Sequence, residues 1–530
     1  MLPVPSLNFG YNDAENYRRK ENKELFNHIF VRTEELDNIC QENIFFLMGD
    51  KGTGKTAYAV YLSNNYYKET VGSIKYIRET EYQKFISMKQ EKHLALSDYT
   101  NIWKVILYLL MAQVISERES TNFLFRAFSK FRTLKEAIDE YYANAFSPEI
   151  IYAMQFVEQS KLAAELIFKY AKASGEETAG ITFTESRFQT NLLYIQKKFE
   201  DALTSLKLKD SHLLFIDGID IRPNGVPYDD YLECVKGLAN AVWSINNDFF
   251  SNIKDSKGRM RVVLLVRPDI FNSLGMQNQN NKIRDNSVLL NWQTTYRMYR
   301  QSSIFFVADR LLEWQQVEPL NHGEAWDFYF PYRAVNLITR ARTDSSFITF
   351  LRFSYYRPRD IISMFDILQE NFIQQQRSNS DVFTEEDFNN PEFRRKYSDY
   401  LLGEVRDNLS FYYTNDDYDL FLKFFEFLYG KQAFRYDEYL LAFSQLEKFI
   451  SRNSKAKSSF FDTADVFLQF LYELNVICYQ EHAGNEIFSR WCFRERSPSN
   501  FSPKVKTNEH YLIHYGLSKA LNTGRHLRIR

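Results

Sequence analysis

Short apolar runs recur along the chain at the length of buried strands. They predict strands over residues 44–48, 73–77, 213–217, 261–267 and 287–292. Between residues 98 and 205 the pattern changes, because apolar positions such as Ile102, Ile106 and Leu109 recur at helical spacing, as they do again over 150–170. Short strands that alternate with helices predict a parallel α/β sheet, which here carries a large helical insertion.

The chain after residue 292 is predominantly helical in its pattern. A polar stretch over 374–387 is typical of a linker, and residues 415–495 predict a helical unit that ends in a hairpin. The hairpin strands, 474–479 and 486–491, flank a turn at Gly484. We therefore expect these domains: an N-terminal segment 1–24, a core 25–300 with the helical insertion 98–205, a helical lid 301–375, a linker and helical connection 376–414, and a C-terminal domain 415–530.

Composition supports a helix-rich, multidomain protein. The 530 residues exceed what one hydrophobic core supports, and 47 Phe and 35 Tyr stand against only 18 Gly and 12 Pro. The net charge of −2 does not indicate that the chain as a whole binds nucleic acid. The four cysteines (Cys40, Cys234, Cys478 and Cys492) lie too far apart for a zinc motif or a disulfide framework, which suits a reducing compartment.

The start of the chain, Met1-Leu2-Pro3-Val4-Pro5, lacks the basic and apolar regions of a signal peptide. The apolar stretch over 106–115 contains Gln113 and is too short to span a bilayer. We therefore expect a cytoplasmic protein that has no membrane partner.

A glycine-rich loop with the spacing G-x-x-x-x-G-K-T follows the first predicted strand and precedes a helix. Its residues are Gly49, Asp50, Lys51, Gly52, Thr53, Gly54, Lys55 and Thr56. In such a P-loop the backbone N–H groups surround phosphates, the lysine reaches the β- and γ-phosphates, and the hydroxyl binds Mg²⁺. The alternative is a chance match in a glycine-containing turn, but the strand before it and the helix after it favour binding of ATP with Mg²⁺.

Asp217 ends the apolar strand over 213–217, where a carboxylate can hold Mg²⁺. The alternative is a turn aspartate, because Asp217-Gly218 is favourable turn chemistry. Many ATPases have glutamate directly after this aspartate, whereas here the position is Gly218. Asp220 is the nearest acidic substitute for a catalytic base, although it can equally form a turn with Arg222. This departure predicts slow hydrolysis.

Three arginines are candidates for contact with the phosphates. Arg267 ends the strand over 261–267, and Arg359 lies in Arg357-Pro358-Arg359-Asp360, which opens a helix predicted over 360–371. Arg284 precedes the next strand and can act at a subunit junction. For each of them the alternative is a solvated or ion-paired side chain. The sequence favours Arg267 and Arg359 as a set.

The C-terminal tail is locally basic. From residue 494 onward it contains Arg494, Arg496, Lys504, Lys506, Lys519, Arg525, Arg528 and Arg530. Such a region can be a nucleic-acid surface beside a winged helix. The alternative, which spread-out charges favour, is a face that packs on another domain or protomer.

The order of these features resembles that of AAA+ and STAND ATPases. Residues 30–36 (FVRTEEL) resemble the box that precedes the P-loop in those families, and the strands ending in Asp217 and Arg267 and the helix start at 357–359 follow in the same order. Nearly the whole chain also resembles a poorly characterised bacterial P-loop ATPase family.

The closer resemblance lies in residues 215–220, 281–287 and 513–517. It implies an α/β P-loop ATPase core of the AAA+/STAND type, a helical lid and a winged-helix-like C-terminal unit. Relatives in the broader group switch between monomer and oligomer with ATP, and many bacterial ones act in anti-phage defence.

We therefore expect a slowly hydrolysing, ATP-gated switch that forms homo-oligomers. It would act with a separate effector protein, because we recognise no nuclease, protease, TIR-like or membrane effector motif in the chain. Two alternatives stay open. One is a DNA-binding ATPase of the initiator or loader type that uses residues 415–530, and the other is a degenerate ATPase that serves only as a scaffold.

Overall fold

The structure is a computed structural model. It describes residues 1–77, 96–118, 193, 196, 197, 199–201, 203, 204, 206–223, 225–256, 258–336, 341–375, 381–413, 415–453, 459–484, 486–497, 500 and 502–524. The predicted helical pattern over 150–170 lies outside these residues.

Strands and helices are numbered here in chain order over the described residues. The strands are β1 Phe46–Met48, β2 Thr70–Tyr76, β3 Ser211–Asp217, β4 Met260–Val266, β5 Ser287–Leu289, β6 Arg333–Val335, β7 Arg342–Ser345, β8 Ala433–Arg435, β9 Ile477–Ala483, β10 Glu486–Arg490 and β11 His510–Ile513. The helices are α1 Lys23–Ile29, α2 Glu34–Ile39, α3 Lys55–Asn64, α4 Leu96–Arg118, α5 Tyr228–Ser244, α6 Pro268–Ser273, α7 Gln279–Asn286, α8 Ser303–Glu313, α9 Glu324–Tyr329, α10 Ser346–Phe353, α11 Pro358–Gln374, α12 Glu385–Asn389, α13 Pro391–Tyr412, α14 Asn415–Glu426, α15 Tyr436–Arg452, α16 Ala464–Glu473 and α17 Cys492–Glu495.

The chain forms two compact units. The sheet unit contains Glu34–Met48 and Thr56–Leu289, and the second unit contains Met1–Thr33, Gly49–Lys55 and Leu290–Arg530. The glycine-rich loop up to Lys55 thus groups with the later part of the chain, although it directly follows β1.

The sheet unit is built on five parallel strands in the order β2-β3-β4-β1-β5. The predicted parallel α/β sheet is therefore confirmed. Every residue of β4 is buried, as expected for a strand covered on both faces. The strand ends differ from the prediction, since β2 begins at Thr70 and β5 ends at Leu289 instead of continuing to Trp292.

Helix α4 confirms that the predicted insertion begins as a helix. It packs on α5, where the indole N–H of Trp103 donates to the carbonyl of Cys234 at 3.2 Å. Gly237 permits this approach, because a Cβ atom there would lie 2.6 Å from Cβ of Tyr99. None of the described helices combines the length and the apolar character needed to cross a membrane.

The second unit contains an aromatic core around Trp326. Its ring stacks on Phe330 at a centroid distance of 4.4 Å, and Phe347 and Phe350 meet it edge-on at 4.9 and 5.0 Å. The N-terminal segment packs against α11, where the side-chain amide of Gln369 donates to two carbonyls of that segment. Many of the aromatic side chains that the sequence contains are thus packed against one another between helices.

The C-terminal part of the second unit has the element order α14, β8, α15, α16, β9, β10, with a four-stranded antiparallel sheet in the order β10-β9-β11-β8. The predicted helical unit with a terminal hairpin is confirmed. The first hairpin strand begins at Ile477 and not at 474, because residues 474–476 terminate α16. Asn475 has a φ of +59°, and Val476 N–H donates to the Leu471 carbonyl at 3.0 Å.

Candidate functional site

The glycine-rich loop adopts backbone angles that require glycine. Gly52 has a φ of +84° and Gly54 a φ of +96°, in the region that L side chains rarely occupy. A Cβ atom at Gly52 would also lie 3.3 Å from Cβ of Arg359. The sequence therefore has glycine where the local geometry demands it.

Side chains and backbone within the loop hold its shape. The ammonium of Lys55, which is 6% exposed, donates to the carbonyls of Gly49 at 2.8 Å and Asp50 at 3.4 Å. The hydroxyl of Thr53 donates to the same Asp50 carbonyl at 2.8 Å. The indole N–H of Trp292, which lies outside the sheet, donates to the Thr53 carbonyl at 2.9 Å. The predicted lysine is thus buried and directed onto its own loop.

The hydroxyl of Thr56 donates to Oδ2 of Asp217 at 2.6 Å. Both residues belong to the sheet unit, with Thr56 in the first turn of α3 and Asp217 at the end of β3. The other carboxylate oxygen of Asp217 accepts from Gly218 N–H at 2.8 Å, and the residue is only 9% exposed. The two residues predicted to bind the metal therefore meet, although they are far apart in sequence.

Gly218 stands where many ATPases have glutamate, and the backbone gives a physical reason. Its φ is +94°, and a Cβ atom there would lie 2.6 Å from the carbonyl oxygen of Ile77. That carbonyl belongs to the chain that follows β2, whose residue Ile77 donates its N–H to the Asp217 carbonyl at 2.8 Å. A glutamate at this position would require the backbone of Ile77 to move.

The other predicted catalytic residues lie close to these strand ends in sequence. Asp220 is half-buried in the turn after β3. Arg267 is 3% exposed and directly precedes α6, and its Nε donates to Oδ1 of Asp269 at 3.0 Å. Its guanidinium is therefore engaged by a carboxylate two residues along the chain. Arg284 lies near the end of α7 and is 77% exposed beside Asp285.

Arg357 and Arg359 open α11 as predicted. Arg359 contacts the loop through its backbone, whose N–H faces the Gly52 carbonyl at 3.5 Å, and its Nε donates to the Asn12 carbonyl at 3.3 Å. Arg357 is the more buried of the two, at 3% exposure, and its Nη1 donates to the Lys51 carbonyl at 2.7 Å. The sequence interpretation favoured Arg359, whereas the structure brings both arginines to the loop.

Side chains of the loop also form ion pairs with later parts of the second unit. Oδ1 of Asp50 pairs with Nη1 of Arg496 at 2.6 Å, and Lys51 pairs with Asp407 and with Glu404 on α13. Sequence reasoning missed Glu404 and Asp407, because acidic residues on an amphipathic helix carry no local signal of such a role.

The basic tail is partly neutralised within the chain. Besides the pair formed by Arg496, the ammonium of Lys506 lies 2.5 Å from a carboxylate oxygen of Glu481. Arg494 lies over the ring of Tyr356 at 5.6 Å from its centroid. These contacts favour the packing interpretation for Arg494, Arg496 and Lys506, while Arg525, Arg528 and Arg530 lie outside the described residues.

His514 is buried beside the segment that precedes α11. Its ring lies 4.5 Å from that of Tyr355, and its Nδ1 accepts from Gly516 N–H at 3.2 Å. Burial lowers the pKa of His514 to about 3, so the imidazole is neutral at physiological pH. It therefore acts as a packing and hydrogen-bonding group between Tyr355 and Gly516.

Oxygen ligands suited to Mg²⁺ are present at the Thr56–Asp217 pair, since hydroxyl and carboxylate oxygens are what this ion prefers. Within the described residues, no group of three or more His, Cys, Asp or Glu side chains is arranged to hold a metal on its own. A magnesium ion here would need further oxygens, and nucleotide phosphates and water commonly supply them.

Comparison with known proteins gives no family for the chain: no family model matches it, and no curated protein matches it significantly.

Proposed function

We propose that this protein is a Mg²⁺-dependent ATPase whose glycine-rich loop, residues 49–56, binds the phosphates of ATP. The observation that carries the proposal is the 2.6 Å hydrogen bond between the Thr56 hydroxyl and Asp217. A loop of this spacing needs a carboxylate near its hydroxyl residue to hold Mg²⁺, and Asp217 is the carboxylate that the sequence predicts for this role.

The chemistry follows from the donors present. The N–H groups of the loop and the N-terminus of α3 favour an anion, and Lys55 supplies a positive charge that can exchange its carbonyl contacts for phosphate oxygens. Thr56 and Asp217 would hold Mg²⁺, which neutralises charge on the phosphates. This set of groups suits a triphosphate better than a monophosphate, because the cations extend from Lys55 to the arginines of α11.

Hydrolysis is proposed to be slow. Gly218 offers no carboxylate at the usual position of the base, and Arg267 is held by Asp269. Asp220, the acidic residue nearest to Asp217 in sequence, is the candidate base, and we propose that it orients the attacking water. An ATPase with these features suits a switch, in which the bound nucleotide selects a conformation, better than rapid turnover.

The loop is suited to such switching because hydrogen bonds and an ion pair connect it to two later segments of its own unit. Arg357 and Arg359 reach it from α11, and Arg496 reaches it from the region after α17. We propose that the C-terminal part, whose element order resembles a winged helix, stabilises the loop. Helix α16, which would enter a DNA groove, contains no Lys or Arg, so nucleic acid is not its proposed partner.

The test is equilibrium binding of ATP with Mg²⁺, measured by isothermal titration calorimetry on the full chain. We expect wild type to bind ATP and Lys55→Ala to bind it about tenfold or more weakly, because a charge-assisted phosphate contact is lost. Lys207→Ala is the matched control, since Lys207 is 80% exposed and its pair with Asp255 spans 3.5 Å. Equal affinity in wild type and Lys55→Ala, or no binding by wild type, would refute the proposal.

A further inference from the structure

Three cations of the second unit converge on one carboxylate, that of Glu404 on α13. Lys51 Nζ lies 3.7 Å from Oε1, Arg359 Nη1 lies 3.6 Å from the same oxygen, and Arg357 Nη1 lies 3.4 Å from Oε2. The Glu404 side chain is only 10% exposed. Cations that converge on a single buried anion define an anion site, whatever anion occupies it.

The contacts of Glu404 differ from those of a purely structural carboxylate nearby. Asp360 holds the guanidinium of Arg357 at 2.6 to 3.1 Å and also accepts from Tyr355 N–H at 2.8 Å and from the Tyr400 hydroxyl at 3.1 Å. Asp360 therefore already compensates the charge of Arg357 at close range. Glu404 adds only longer contacts, which another anion can replace at lower cost.

The charges of this cluster balance. Its members are the cations Lys51, Arg357 and Arg359 and the carboxylates Asp360, Glu404 and Asp407. Burial alone would raise the pKa of Glu404, but Arg357, Lys51 and Arg359 together hold it below its ordinary value. Glu404 is therefore ionised at neutral pH. A phosphate group that entered among the same cations would be repelled directly by the negative charge of Glu404.

We propose that Glu404 is an internal anion that competes with a phosphate group of the bound nucleotide for Lys51, Arg357 and Arg359. The inference rests on the proposed nucleotide binding and adds its regulation. Since Lys51 and Gly52 belong to the loop itself, a phosphate there displaces α13 from the loop. Release of Glu404 is then the step that couples nucleotide binding to movement of α13.

The test compares the affinity of a fluorescent ATP analogue (N-methylanthraniloyl-ATP, with Mg²⁺) among variants of the full chain. Glu404→Gln keeps the shape of the side chain but removes its charge, and we expect it to bind about tenfold more tightly than wild type. Asp407→Asn removes only the exposed partner of Lys51 and is expected to gain about threefold. Glu392→Gln is the matched control, because Glu392 lies on the same helix and pairs with Lys396.

The possible outcomes distinguish failure of the competition by Glu404 from failure of nucleotide binding itself. Tighter binding by Glu404→Gln, with Glu392→Gln unchanged and the gain reduced when Lys51→Ala is added, supports the competition. If wild type and Glu392→Gln bind but neither Glu404→Gln nor Asp407→Asn gains affinity, Glu404 is merely structural and the inference is wrong. If no variant binds the analogue, the proposed function itself fails and the inference fails with it. Thermal unfolding of each variant establishes that it is folded.

Discussion

Replacing Arg261 with methionine is expected to lower the free energy of unfolding by about 3 to 5 kcal/mol. Arg261 is 1% exposed at the start of β4, and its guanidinium donates to the carbonyls of Cys40 at 2.9 Å, Ile39 at 3.2 Å and Ile44 at 3.4 Å. It also donates to the Gln41 carbonyl. These carbonyls lie at the end of α2 and just before β1, so the arginine fixes the entry to the strand that precedes the loop.

The physical reason for the large effect is that methionine leaves several buried carbonyls without a donor. Burial disfavours the charged form of this guanidinium and lowers the pKa of Arg261 to about 10. Urea denaturation followed by far-UV circular dichroism measures the effect. Arg259→Met is the matched control two residues away, because Arg259 is more exposed and its pair with Glu69 spans 3.5 Å. Equal midpoints for the two variants would contradict this role for Arg261.

The second large effect is expected for Asp217→Asn, which should lower phosphate release from ATP by about 100-fold. The amide keeps the shape of the side chain and one acceptor, but it loses the charge that attracts Mg²⁺. Affinity for ATP measured without Mg²⁺ should change little, because Lys55 and the loop N–H groups are intact. Steady-state phosphate release and calorimetric binding, measured on the same samples, separate the two steps.

The matched control for this substitution is Asp210→Asn. Asp210 precedes β3 at the opposite end of the same strand, where it accepts from the Tyr66 hydroxyl at 2.9 Å. It should retain wild-type phosphate release. An Asp217→Asn variant that hydrolyses ATP as fast as Asp210→Asn would show that Asp217 holds no catalytic metal.

The sheet and the contact between Thr56 and Asp217 could be anticipated because their signals are local. Apolar runs define buried strands, and the carboxyl ends of parallel strands lie along one edge of a sheet. A motif at the end of β1 and an aspartate at the end of β3 are therefore expected to be close. The strand ends were less predictable, since Leu290 continues the apolar pattern of β5 while belonging to the second unit.

The cluster around Glu404 could not be anticipated, since its members come from distant parts of the chain. Lys51 and Asp407 are 356 positions apart, and nothing near either residue indicates the other. The role of Arg261, which lies outside this cluster, could be anticipated in part, because a single charge at the start of an otherwise apolar buried strand suggests a buried partner. Its acceptors are backbone carbonyls, which no residue pattern identifies.

The most direct test of the central claim is hydrogen–deuterium exchange of the loop itself, followed by mass spectrometry of peptides that cover residues 49–56. If the loop binds the phosphates, saturating ATP with Mg²⁺ slows exchange of its amides by about tenfold, because those N–H groups donate to phosphate oxygens. The same peptides of Lys55→Ala should show little protection. Loop amides that exchange equally fast with and without the nucleotide would contradict the account.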